Sequence, residues 1–131
     1  MIPEPVWLDR DSVIAFHEES LQRFGGPSGV RDWTMLDSAL ARPQNKHAYA
    51  AEFDLAGLAA AYAYGIARNH PFIDGNKRTA YLAMEVFLII NGFDLDVADE
   101  DAIAAFLGLA AGEVGEEELA AWIRERMAPR A

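Results

Sequence analysis

Between residues 70 and 79 the chain reads His70-Pro71-Phe72-Ile73-Asp74-Gly75-Asn76-Lys77-Arg78-Thr79, and here the side chains able to do chemistry gather. A histidine changes charge near neutral pH, so His70 is suited to take the proton of an incoming hydroxyl. Asp74 is a hard oxygen ligand of the kind that holds a magnesium ion already bridging phosphates. Gly75 permits a tight turn or a close backbone approach. Asn76 is a suitable cap for a helix beginning at Lys77. The unpaired amides of that first turn, with the charges of Lys77 and Arg78, would make an anion site. Over residues 68–78, Arg68, Lys77 and Arg78 stand against Asp74 alone, a positive island in a chain of net charge -10. These groups suit phosphoryl or nucleotidyl transfer, which needs mostly positioning and neutralisation of phosphate charge.

The bland alternative is a solvated loop, and a loop with one histidine, one aspartate and two basic residues is more often that than a site. Other site types are absent. No His-Glu-x-x-His, no phosphate-binding Gly-x-x-x-x-Gly-Lys-Ser/Thr and no Gly-x-Gly-x-x-Gly occurs. His17 falls on an apolar stripe with Ile14, Leu21 and Phe24 and reads as a satisfied core histidine. His47 sits in a polar stretch and reads as solvated.

The elements that must position this segment are helical, because the apolar period is near 3.6 almost throughout. The Ile14–Leu21–Phe24 stripe marks a first helix stopped by Gly25-Gly26-Pro27. After a loop from Ser28 to Trp33, a short helix carries Met35, Leu36, Ala39 and Leu40 and should end at Pro43. Gln44 to Phe53 has no period and reads as a surface loop. Leu55, Leu58, Ala59, Tyr62 and Ile66 mark a third helix capped by Asp54. Pro71 biases His70 away from helical geometry and should end it. A fourth helix runs from about Lys77 to Asn91, with Gly92 as its left-handed stop. Phe93 to Val97 alternates and reads as briefly extended, and two more helices follow. The last carries Glu116, Glu117 and Glu118 in its first turn and Arg124 and Arg126 near its end, as the helix dipole prefers. The expectation is an all-α single domain, residues 1–131, of about six helices, with the 70–79 loop between two central ones.

Composition narrows the class. At 131 residues and 52% apolar, the chain is long enough for one unstapled core and too apolar for an acidic disordered tail. It has no cysteine, which excludes a disulfide scaffold, a thiolate nucleophile and thiolate-bound metals. That fits a cytoplasmic location, as does the start Met1-Ile2-Pro3-Glu4-Pro5, which lacks the pattern of a signal peptide. The longest apolar run, Leu55 to Ala67, is too short to span a bilayer. Residues 1–90 hold 11 acidic and 8 basic side chains, and residues 91–131 hold 10 and 3. Such a surface repels a phosphate backbone, so a nucleic-acid-binding protein is disfavoured. It would suit a basic or amphipathic partner segment.

His70-Pro71-Phe72-Ile73-Asp74-Gly75-Asn76-Lys77-Arg78-Thr79-Ala80 resembles the signature of the Fic/Doc (Fido) superfamily, and specifically its death-on-curing branch, the toxins of bacterial toxin–antitoxin pairs. Arg23-Phe24-Gly25-Gly26, Leu36-Asp37-Ser38-Ala39-Leu40 and Asn91-Gly92 are similar to that branch as well. The resemblance implies a compact helical Fido fold. AMP-transferring members carry a glycine where Lys77 stands and a second arginine where Tyr81 stands; Doc-type toxins share the lysine. The resemblance therefore implies a protein kinase that uses ATP and Mg2+ to phosphorylate a threonine of elongation factor Tu, with AMP transfer or a catalytically silent binding module as alternatives. It implies His70 as catalytic base and Asp74 as the magnesium-associated carboxylate. Asn76, Lys77 and Arg78 would hold phosphates, assisted by Gly75 and Arg68. No Ser/Thr-x-x-x-Glu-Gly/Asn restraining run is present, which implies inhibition by a separate antitoxin.

Overall fold

Eleven of the fifteen residues of one helix, Leu55–Asn69, are buried, and the rest of the chain is arranged around it. A helix that is apolar on every face has to be enclosed by others. In this computed structural model, which describes residues 4–49 and 53–131, the order is α1 (Arg10–Phe24), α2 (Trp33–Tyr49), α3 (Leu55–Asn69), α4 (Asn76–Ile90), β1 (Phe93–Leu95), α5 (Asp99–Ala110), α6 (Glu116–Arg126) and β2 (Met127–Pro129). Helices α2, α4 and α6 pack directly on α3, and α1 packs on α4. The architecture is the expected all-α one, with the motif segment between α3 and α4. None of the helices in the described residues is long and apolar enough to cross a membrane.

The core is built from small residues on α3 and large ones around it: Leu36 on α2, Met84 and Phe87 on α4, Leu119 and Ile123 on α6. The Tyr62 hydroxyl, enclosed here, accepts from the Leu8 amide at 3.0 Å, and burial pushes its pKa up to about 12. Asp54 caps α3 as expected, accepting from the Gly57 amide at 2.9 Å, and ties in α6 through Arg124 Nε at 2.6 Å. That guanidinium holds the Asp54 carboxyl below its ordinary value.

Three readings of the sequence are corrected here. Pro43 does not end α2, which continues to Tyr49. A proline inside a helix costs about 3 kcal/mol, part of it a lost donor to the carbonyl four residues back. That carbonyl belongs to Ala39, which lies against α3: a Cβ on Gly65 would come within 3.1 Å of Ala39 Cα and 3.3 Å of its oxygen. Burial of Leu36, Ala39, Leu40 and Pro43 on one face holds the helix together through the break. Consequently Gln44 to Tyr49 is helix, not surface loop, while 50–52 lie outside the described residues. His47 is also not solvated; it is half-buried, edge-on to Trp7 and tilted against Phe53. The extended segment expected after Gly92 is present as the strand β1, which pairs antiparallel with β2, Asp94 opposite Ala128.

Candidate functional site

The loop from His70 to Gly75 begins with a backbone reversal. His70 adopts the left-handed region at φ 48 and ψ 55, and its amide donates to Ile66 O at 3.2 Å, closing α3. It is the one positive-φ residue other than glycine among the described residues. Such a conformation costs a non-glycine residue on the order of 1 kcal/mol, so other contacts must fix it. Arg31 does so. Its Nε donates to the His70 carbonyl at 2.8 Å and its Nη2 to the Asn69 carbonyl at 2.9 Å, setting a cation on the negative end of α3. The amides of Arg31 and Asp32 both donate to Pro71 O, Val30 forms a bridge with Phe72, and the Ile73 amide donates to Gly29 O at 3.1 Å. The His70 side chain is exposed.

The second half of the loop is clamped from inside. Phe72 is buried, and the Asn76 side chain straddles it, donating to Phe72 O at 3.0 Å and accepting from Phe72 N at 2.9 Å. Asn76 is therefore not the helix cap expected from its type. Gly75 holds the cap position at φ 76 with no side chain to cover the first amides of α4, and Asn76 is the first helical residue. His17, reaching up from α1, stacks on Phe72 with ring centres 3.9 Å apart, and its Nε2 donates to the Asp74 carbonyl at 2.7 Å.

Asp74 is exposed. Its Oδ1 accepts from the Gly75 amide at 2.8 Å, and its Oδ2 lies over Gly26, where a Cβ would come within 2.5 Å. The Gly25-Gly26 pair that reads as a helix stop therefore also clears space for this carboxylate. Among the described residues no three acidic or histidine side chains converge on one point. One open carboxylate oxygen beside uncapped helix amides fits a hard ion that brings phosphate ligands of its own.

Arg78 is held by the Ser20 hydroxyl, which accepts from its Nε at 2.9 Å, and its guanidinium lies over the Phe24 ring at 5.0 Å. Lys77 is exposed beside it. Both line a largely apolar groove of about 770 Å³ between α1, α4 and α5, whose walls include Phe16, Phe24, Leu82, Ile103, Phe106 and Leu107. Arg23 joins Lys77 and Arg78 at the end where α4 begins, with Glu19 as the acidic member. Tyr81 also lines it, edge-on to Phe106 and donating to Glu85, whose carboxyl is raised by burial. Arg68 is not part of this lining; its guanidinium lies over Tyr64 and near Gly112. The structure thus gathers Asp74, Gly75, Asn76, Lys77 and Arg78 at one helix start, sets His70 at the opposite end of the same short loop, and directs Arg68 elsewhere.

Sequence reasoning passed over Arg31 and Ser20, and it placed His17 in the core, where it lies, without seeing that it holds the loop. For His17 a signal existed, since a histidine on a core stripe has to spend a nitrogen on something; what it would meet was not readable.

Comparison with known proteins places the same segment in context. The pattern of the Fic/DOC family matches residues 7–88, which include the whole loop. The chain is 42% identical over 104 residues to the protein named Toxin Doc of Mycolicibacterium smegmatis, covering 72% of this chain and 75% of that one. It is 34% identical over 118 residues to Protein kinase doc of Escherichia phage P1, covering 89% of this chain and 92% of that one. With a loop of this sequence bent back at His70, opened at Gly75 and followed by the cations of α4, the chain belongs to the Fic/DOC family.

Proposed function

We propose that this chain is a Doc-like toxin, a protein kinase that moves the terminal phosphate of ATP to a threonine or serine hydroxyl of a translation factor, elongation factor Tu being the candidate target, and so arrests translation in the cytoplasm. The observation that carries the reading is the uncapped start of α4 with Lys77 and Arg78 on its first turn. Position 77 holds a long cation where AMP-transferring members carry a glycine, and it competes for the space of the inner phosphates. Position 81 holds a ring packed on Phe106 where those members carry a second arginine, so the outer phosphates lack that anchor. Both changes favour a nucleotide pose that offers the terminal phosphate. The name of the phage relative agrees.

In this mechanism His70 takes the proton of the attacking hydroxyl, the oxygen bonds to the terminal phosphorus, and the bond to the leaving ADP breaks. Lys77, Arg78 and the α4 amides neutralise the phosphate charge, while Asn76 keeps Phe72 and hence the loop in place. Magnesium bound with the nucleotide supplies further charge neutralisation, and Asp74 Oδ2 is the protein oxygen suited to hold it. Intact mass of elongation factor Tu after incubation with the protein, ATP and Mg2+ tests the assignment: an added phosphate is expected, and an added AMP would remove the kinase reading.

Asp74→Asn should lower transfer at limiting Mg2+ by at least about tenfold, the lower end of what altering even the outer partners of a metal site costs. Its melting temperature should stay at the parent value, because the carboxylate is exposed and an amide oxygen can still accept from Gly75. A magnesium titration of the mutant checks this; an unchanged curve would take the metal role away from Asp74.

The regulator in this reading is a separate antitoxin, one segment of which fills the groove between α1, α4 and α5. The groove refines the chemistry suggested by net charge. Its apolar walls call for an amphipathic segment, and Arg23, Lys77 and Arg78 call for acidic, not basic, residues at that end.

A further inference from the structure

His17 is fully enclosed, yet the chemistry above does not use it. It spends one ring nitrogen on the motif loop, and the other, Nδ1, has no hydrogen-bond partner, the nearest carboxylate oxygen being Glu18 Oε1 at 3.9 Å. A backbone carbonyl can only accept, so the hydrogen of the 2.7 Å contact belongs to His17 Nε2. What this bond fixes is a plane. In a trans peptide the C=O and the following N–H point in opposite directions. With the Asp74 carbonyl drawn towards α1, the Gly75 N–H must point the other way, and there it meets Asp74 Oδ1 at 2.8 Å. One peptide unit therefore transmits the position of a buried ring to an exposed carboxylate. The stack on Phe72 and the close approach to Gly75, whose Cβ position lies 3.7 Å from His17 Cδ2, leave the ring little room to tilt.

We propose that His17 is a positioning residue: it locks the Asp74–Gly75 peptide plane, and through it the direction of the Asp74 carboxylate and the opening of the α4 amides. The inference rests on the reading of Asp74 as the phosphate-side carboxylate, but its structural half can be measured without any activity.

Two amide substitutions of like polarity and different reach separate this role from simple core packing. His17→Gln places its NH2 near the position of the imidazole Nε2; His17→Asn ends near the position of Nδ1 and cannot reach Asp74 O. In His17→Asn, exchange of the Gly75 amide should speed up by about tenfold, the loss expected for one hydrogen bond. Transfer from ATP should fall on the order of 10²-fold, as for a displaced reacting group. His17→Gln should restore both towards the parent, and melting temperatures are measured alongside. Equal Gly75 exchange in the two variants, or parent-like exchange in His17→Asn, would overturn the proposal. Should the unmodified protein transfer nothing from ATP, the kinase reading fails while the exchange comparison still decides the role of His17.

Discussion

His70→Gly should give a protein that folds about as stably as the parent and transfers at least about 100-fold more slowly. The residue occupies a left-handed cap, which strains any side chain with a Cβ by about 1 kcal/mol. Glycine relieves that strain, roughly offsetting the extra freedom it gives the unfolded chain. The Arg31 bonds go to backbone carbonyls and survive the change. Removal of a general base costs on the order of 10²- to 10⁴-fold in rate. His70→Ala should be as inactive but less stable than His70→Gly, because it keeps the left-handed strain that glycine relieves. Urea unfolding with a transfer assay and growth arrest on expression reads both effects. A His70→Gly protein within about tenfold of parental transfer would exclude His70 as the base. Histidine would then be hard to explain, since the local backbone is better served by glycine.

Arg78→Ala should lower transfer by about 10³-fold, the low end for an arginine that stabilises a transferring phosphoryl group. The more telling substitution is Arg78→Lys. In the structure one guanidinium nitrogen is spent on Ser20 and the planar face rests on Phe24, so the remaining nitrogens are aimed, not merely present. An ammonium has neither the Nε donor nor the face. Arg78→Lys should therefore fail nearly as badly as alanine, despite keeping the charge. Recovery of parental transfer in Arg78→Lys would reduce the role of Arg78 to a point charge.

What was legible in the sequence was what neighbours in the chain decide. Asp54 before an apolar run, Pro71 after His70 and Gly92 after Asn91 each act within one turn, and α3 and α4 begin and end near where those residues indicate. What was not legible depended on partners far along the chain. Pro43 is a helix breaker by local rules, and only the packing of Ala39 on Gly65 keeps α2 running. Asn76 has the composition of a cap, but its amide matches the backbone of Phe72 in the preceding turn better than it matches its own helix. Arg31 and His17 act on residues 39 and 57 positions away. The chemistry-bearing residues lie in one short string, so the candidate site was found; its supports are dispersed, so they were not.

The pairing of β1 with β2 has a consequence in polymer terms. It clips the chain shut on either side of residues 96–126, so that α5 and α6 form one closed excursion. The entropy of closing a loop grows only with the logarithm of its length, roughly 0.6 kcal/mol for each doubling. Flexible residues added to this excursion therefore cost little in closure entropy. The excursion supplies one wall of the groove, through Ile103, Phe106 and Leu107, whereas every residue that shapes or clamps the 70–78 loop lies before the clip. Under the proposed function, the outer wall could be rebuilt for a different partner while Lys77, Arg78 and the start of α4 stay where they are. Recognition and chemistry are thus free to change at separate rates within one small chain.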